Sequence, residues 1–216
     1  MTLKPFYTLG LILLMTLLSL SAFADSSAPK YAEGVNYTTL KTPAKAGTDP
    51  TKVEVAEMFW AGCPHCYHLE PHLQKWKKTL PADVEFVKLP SVLNPAWKLH
   101  ARAFYAAEAL LAGEKFHLAL FNAIHEQGRR LRREDAVVRF ANSQGLDGDK
   151  FRKAMNSEAT DAKIKEVDRL GKAYDLTGVP ALIVAGKYKV NSASVKSYEE
   201  LFQLVDYLVD MERKSK

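Results

Sequence analysis

Both cysteines of the chain fall in one tetrapeptide, Cys63-Pro64-His65-Cys66, so neither has another thiol to pair with. A disulfide between them closes a very short loop and removes little entropy from the unfolded chain. A structural staple is therefore the weaker reading, and thiol–disulfide exchange the stronger. Cys63 stands where a helix N-cap is expected, and Pro64 at the first helical position, where a missing N–H costs nothing. Free N–H groups and the helix dipole at that end favour the thiolate and lower its pKa, which marks Cys63 as the nucleophile. His65, as imidazolium or as an N–H donor, adds to the same effect. Cys66 lies on the apolar stripe of the helix, so it is expected to be covered and to act as the resolving thiol. A stabilised thiolate stabilises the dithiol over the disulfide, so the expected direction is oxidation of other proteins.

Cys63, His65, Cys66, His68 and His72 also make a candidate metal set. At about 100° per residue, His68 and His72 project roughly 200° and 240° from Cys66, on the far side of the helix. Structural zinc sites usually separate the Cys pair from the His pair by about a dozen residues. No metal is expected, and His68 and His72 are read as a solvated face.

Glu57 is an acid among apolar neighbours, on the same side of a strand as Val53, Val55 and Phe59. Two readings stand: a strand-end carboxylate in water, or a buried acid with a raised pKa that accepts or relays the proton of Cys66. Lys88 shares a face of the following strand with Val84 and Phe86. It is either the partner of Glu57 or a lysine snorkelling at the sheet edge.

The elements that position these residues follow from hydrophobic periodicity. Val53 to Trp60 is apolar on both alternating faces, as in a strand covered on both sides. Cys66, Leu69, Leu73, Trp76 and Leu80 are spaced 3, 4, 3 and 4, one buried helical stripe, with Pro71 expected to bend it. Val84 to Leu89 completes a β-α-β unit with a parallel pair. Residues 91 to about 175 show only helical spacing, as in Trp97, Ala101 and Phe104, or Phe116, Leu120 and Ile124. Strand character returns at Pro180 to Val184 and Lys187 to Val190, joined across Ala185-Gly186 as a hairpin. Ser197 and Glu200 form a capping box for a last helix through Leu201, Leu204, Leu208 and Met211. An edge strand is expected near Tyr37 to Leu40.

The chain has 216 residues, 47% hydrophobic and 25% charged, with a formal net charge of +5, which fits a globular protein and excludes disorder and disulfide-dense mini-proteins. Its start is different: Lys4, an uncharged run from Leu9 to Leu20, then Ala22-Phe23-Ala24. That pattern reads as a secretory signal peptide over residues 1–24, too short in its apolar run to span a membrane. A protein exported to an oxidising compartment results. Arg129, Arg130, Arg132 and Arg133 are the one dense basic cluster, read as a solvated helix start rather than a nucleic-acid surface.

EMFWAGCPHCYHLEP at residues 57–71, TGVPALIVAGKYKVN at 177–191, the helical block and the signal peptide together resemble the DsbA family. The resemblance covers essentially the whole chain after residue 24. It implies an α/β thioredoxin fold, a central mixed sheet flanked by helices, with residues 25–90 and 176–216 interrupted by an all-helical insert at 91–175. It further implies that Cys63 attacks and Cys66 resolves, that Val179 precedes a cis Pro180 beside the disulfide, and that Glu57 and Lys88 form a buried charged pair beneath it. Glu70 matches an acidic position on the active-site helix, while Pro90 stands where some relatives carry histidine.

The implied activity is that of a monomeric periplasmic dithiol oxidase without cofactor. It would bind unfolded secreted proteins bearing thiols, pairing the backbone of Val179 with an extended peptide, and would be reoxidised by a DsbB-like, quinone-linked membrane protein. A disulfide isomerase or reductase of the same fold is the nearest alternative, and a non-enzymatic metal or peptide binder a distant one.

Overall fold

A computed structural model describes residues 29–47 and 49–215, so the signal segment expected at 1–24 lies outside the described residues. In chain order come β1 (Tyr37–Thr39), β2 (Val53–Phe59), α1 (Pro64–Lys77) and β3 (Val84–Pro90). Five helices follow: α2 (Pro95–Ala109), α3 (Gly113–His125), α4 (Glu134–Ser143), α5 (Gly148–Met155) and α6 (Glu158–Ala173). The chain then returns to strand with β4 (Ala181–Val184) and β5 (Tyr188–Val190), and ends in α7 (Tyr198–Lys214). From Tyr31 onward the chain forms one unit.

The strands make one mixed sheet in the order β1-β5-β4-β2-β3. β2 and β3 are parallel, joined by α1, and their register sets Glu57 opposite Lys88. β4 runs antiparallel to β2 on its other side and places Leu182 opposite Glu57. Every residue of β2 is buried, as a strand apolar on both faces requires. Val53 and Val55 pack in one core with Leu69 and Leu73 of α1 and Leu204 and Leu208 of α7. Ala56 and Met58 belong to a second core with residues of α2, α3 and α6, and that core also takes in Cys63 and Cys66. The active-site helix thus sits where the two cores meet.

Pro71 lies inside α1, and the helix continues through it. α1 closes at Lys77 instead of reaching Leu80, because Pro81 disfavours helical backbone at Leu80; Leu80 still packs, half-buried, on the first core. The arginine cluster lies in the loop before α4, and only Arg133 touches the helix, as its N-cap. Ser197 Oγ accepts from the Glu200 amide at 3.1 Å, but Glu200 reaches back to the amide of Lys196 rather than Ser197, so the capping box is shifted by one residue on its return side.

Candidate active site

Cys63 is the N-cap of α1, with extended backbone at φ −87° and ψ 118°. Its N–H donates to Trp60 O at 3.0 Å, and its carbonyl accepts from Tyr67 N at 3.1 Å, so the main chain is fixed on both sides. A hydrogen bond from the Cys66 thiol is the largest influence on Cys63; with the amides of Cys66 and His65 and the charge of His65 it outweighs burial and brings the thiol down to about 6. The His65 side chain, which the sequence offers as an addition to the helix N-terminus, contributes least of these and is exposed. As a thiol, Cys63 donates to Val179 O at 3.3 Å, a carbonyl that works against ionisation. The Val179–Pro180 peptide bond is cis.

Cys66 has no exposed surface. Burial, its hydrogen bond to Cys63 and the nearby Glu57 all push its thiol far up. The two sulfurs are therefore opposite in character: one ionises readily near neutrality, and the other holds its proton. Pro64 occupies the first turn and is exposed beside the pair.

Glu57 is fully buried, so it is not a strand-end carboxylate in water. Desolvation pushes its carboxyl up to about 7 against the opposing charge of Lys88, with Glu70 adding to the rise. Lys88 Nζ stands 3.6 Å from Glu57 Oε2, an ion pair beyond hydrogen-bond length, and among the described residues neither Glu57 oxygen has a hydrogen-bond partner. The ammonium instead touches Glu70 Oε2 directly. Burial would raise Glu70, but direct contact with the Lys88 ammonium reverses the sign and holds it well below the usual carboxylate range.

His68 and His72 are both exposed, and the His72 ring lies 4.5 Å from that of Tyr198. Among the described residues no three His, Cys, Asp or Glu side chains are grouped to hold a metal ion. Nor does any described helix have the length and apolarity to cross a membrane.

Residues 96–203 match the DSBA-like thioredoxin domain. The thiol:disulfide interchange protein DsbA of Pseudomonas aeruginosa is 36% identical over 204 residues, which is 94% of each chain. The chain belongs to the DsbA family. DsbA of Azotobacter vinelandii is 37% identical over 207 residues, 95% of this chain and 96% of its own. The crystal structure of P. aeruginosa DsbA superposes with a TM-score of 0.81 at 37% identity, covering 86% of this chain and 96% of that one. The oxidoreductase DsbA from Xylella fastidiosa gives 0.80 at 29% identity, over 85% and 98%. The fold is thus the DsbA-like thioredoxin fold, with five helices between β3 and β4, and the chain is a thiol:disulfide oxidoreductase.

Set within that DsbA fold, one member of the buried cluster escaped sequence reasoning. His117 of α3 has Nε2 2.7 Å from Lys88 Nζ and 3.1 Å from Glu70 Oε2. Helical spacing picks out Phe116, Leu120 and Ile124, whereas the buried face of α3 is Phe116, His117, Leu120, Phe121 and Ala123. A histidine four residues before Phe121 was the available signal. Gln74 joins the cluster from α1, donating to Glu70 Oε1 at 2.7 Å and to Glu114 Oε1 at 2.8 Å.

Proposed function

We propose that this chain is a periplasmic dithiol oxidase that passes a Cys63–Cys66 disulfide to thiol-bearing secreted proteins. The observation that carries the reading is the contrast between the two sulfurs: Cys63 lowered to about 6 at a helix N-terminus, Cys66 raised in a fully buried position. Whatever stabilises a thiolate in the dithiol form makes the disulfide a better oxidant. The DsbA family is itself a standard example of that linkage.

A substrate thiolate attacks Cys63 Sγ, breaking the Cys63–Cys66 bond and forming a mixed disulfide. Cys66 leaves with the electron pair and, as the weaker acid, takes a proton, which Glu57, the carboxyl whose charge acts on it, supplies. A second substrate thiolate then attacks the substrate sulfur and expels Cys63 as thiolate. Two electrons have passed to the enzyme, and the substrate holds the disulfide. Lys88 offsets the charge left on Glu57. Pro64 and His65 fill the two positions between the sulfurs, and His65 favours the Cys63 thiolate.

Val179 and Pro180 form the wall against which an extended substrate chain pairs, backbone to backbone, so that many sequences are accepted. Reoxidation by a DsbB-like, quinone-linked membrane protein completes the cycle, in the periplasm reached through a signal peptide at residues 1–24, with the enzyme acting as a monomer. No cofactor enters the exchange.

Equilibration of the purified protein in glutathione buffers, with thermal unfolding of both redox forms, tests the reading. The dithiol is expected to persist under mildly oxidising conditions and to be the more stable form. A disulfide that resists reduction and stabilises the fold overturns it.

A further inference from the structure

The Lys88 ammonium has three N–H donors and three polar groups within reach. It touches Glu70, lies 2.7 Å from His117 Nε2, and stays 3.6 Å from Glu57. A ring nitrogen cannot accept from Lys88 and donate to Glu70 at once. The shorter contact is the one to Lys88, so Nε2 is the acceptor, the hydrogen sits on Nδ1, and the 3.1 Å approach to Glu70 is no hydrogen bond. Burial lowers His117 to about 4, in keeping with a neutral ring. The rings of Phe59, Phe104 and Phe121 meet the imidazole edge-on at 4.7, 5.9 and 4.5 Å and fix its direction.

We propose that His117 is a positioning residue for disulfide exchange, whose neutral ring holds the Lys88 ammonium on Glu70 and away from Glu57. The proposal rests on the reading of Glu57 as the proton carrier for Cys66. Charged groups face this cluster from every element packed on it: Glu57 from β2, Lys88 from β3, Glu70 and Lys77 from α1, and Glu114 from α3. Glu108 of α2 lines the cleft that reaches Lys88 and His117. Lys77 is paired to Glu114 at 3.1 Å, and Glu114 and Glu70 share Gln74, so within this cluster Lys88 is the cation in reach of Glu57. An ammonium freed from His117 would close on Glu57 and draw off its proton; one held back leaves Glu57 protonated near neutrality, able to serve Cys66.

Nitrogen NMR of the native dithiol protein with labelled histidine reads the tautomer directly. The expected result at pH 7 is a neutral His117 protonated on Nδ1; an imidazolium or an Nε2–H ring overturns the proposal. Two variants follow, with the Glu57 carboxyl titrated by carbon NMR and the pH profile recorded for collapse of a Cys63–peptide mixed disulfide. H117F is expected to lower the Glu57 midpoint by about one unit, the size an approaching opposite charge brings, and H117Q, whose amide oxygen still accepts from Lys88, to keep it. An unmoved midpoint in H117F overturns the proposal. E57Q separates the two ideas: if it leaves the collapse profile unchanged, the carrier role of Glu57 fails, while the tautomer and carboxyl titration still decide the role of His117.

Discussion

Glu57 and Lys88 are direct register partners across the parallel β2–β3 pair, yet their charged atoms stand 3.6 Å apart and no hydrogen bond joins them. Register brings the two side chains to one face, and the acceptors Glu70 and His117 then hold the ammonium back. The carboxyl is left with burial as its dominant influence, which pushes it up to about 7.

That value has a sign for stability. Between about 4.5 and 7 the native protein keeps a proton that the unfolded chain has released, so stability falls as pH rises through this window and the whole cost is present above it. Each unit is worth about 1.4 kcal/mol, so the cost is about 3 kcal/mol. E57Q removes it. The stability of E57Q relative to the unsubstituted dithiol protein, read by urea unfolding, is expected to rise by up to that amount between pH 5 and pH 8. Equal pH dependence in the two proteins would falsify a buried, raised Glu57.

The influences on Cys63 rank, and the ranking can be measured. The thiolate, followed by its ultraviolet absorbance, is expected to titrate with a midpoint of about 6. C66A, which deletes the S–H donor, should raise the midpoint by about one unit. H65A should raise it less, because the His65 amide survives the substitution and the exposed ring contributes least. A larger effect in H65A than in C66A would overturn this ranking and make the imidazole the main support of the thiolate.

What the sequence made legible, and what it hid, divides along one line. Cys63 at the N-cap, Pro64 at the first turn and Cys66 on the covered stripe follow from spacing along a single helix, and spacing is local. The order of strands and helices was legible for the same reason, since period two and period 3.6 announce themselves. The cluster under the disulfide is not local. Glu57, Lys88, Glu70 and His117 come from β2, β3, α1 and α3, and only packing decides that the ammonium turns to Glu70 and His117. Glu70, four residues after Cys66, is singled out by the family resemblance and not by the apolar stripe. His117 was hidden because an apolar stripe shifted by one residue fits α3 almost as well.

Cys63 also ties redox state to pH. Its thiol is lowered from 9.0 to about 6 in the dithiol protein, and the disulfide protein has no such group. The stability this adds to the dithiol form is complete above about pH 9 and lost as pH falls through about 6. The difference in Tm between dithiol and disulfide forms is therefore expected to shrink steadily from pH 8 to pH 5. A gap that stays constant across this range would mean that the thiolate is not what separates the two forms.

The hairpin that follows Pro180 offers a check that stability and thiol chemistry can be moved separately. Ala185 and Gly186 carry φ of +55° and +63°, and Lys187 N donates to Val184 O at 2.9 Å, the two-residue turn that matches strand twist. Ala44 N donates to Gly186 O at 2.9 Å, and a Cβ on Gly186 would lie 2.2 Å from Ala44 O. Both atoms are backbone, so no side chain can swing aside, and the lead-in segment must move. G186A combines that clash with a left-handed residue that now bears a Cβ, a loss of about 2–3 kcal/mol. For a chain of this length the Tm is expected to fall by about 5–10 °C. The Cys63 midpoint should stay at about 6, because its hydrogen-bond donors belong to the first turn of α1. A midpoint that moved with the Tm would mean that the turn and the thiolate are coupled through β4 and Val179, whose carbonyl lies 3.3 Å from the sulfur.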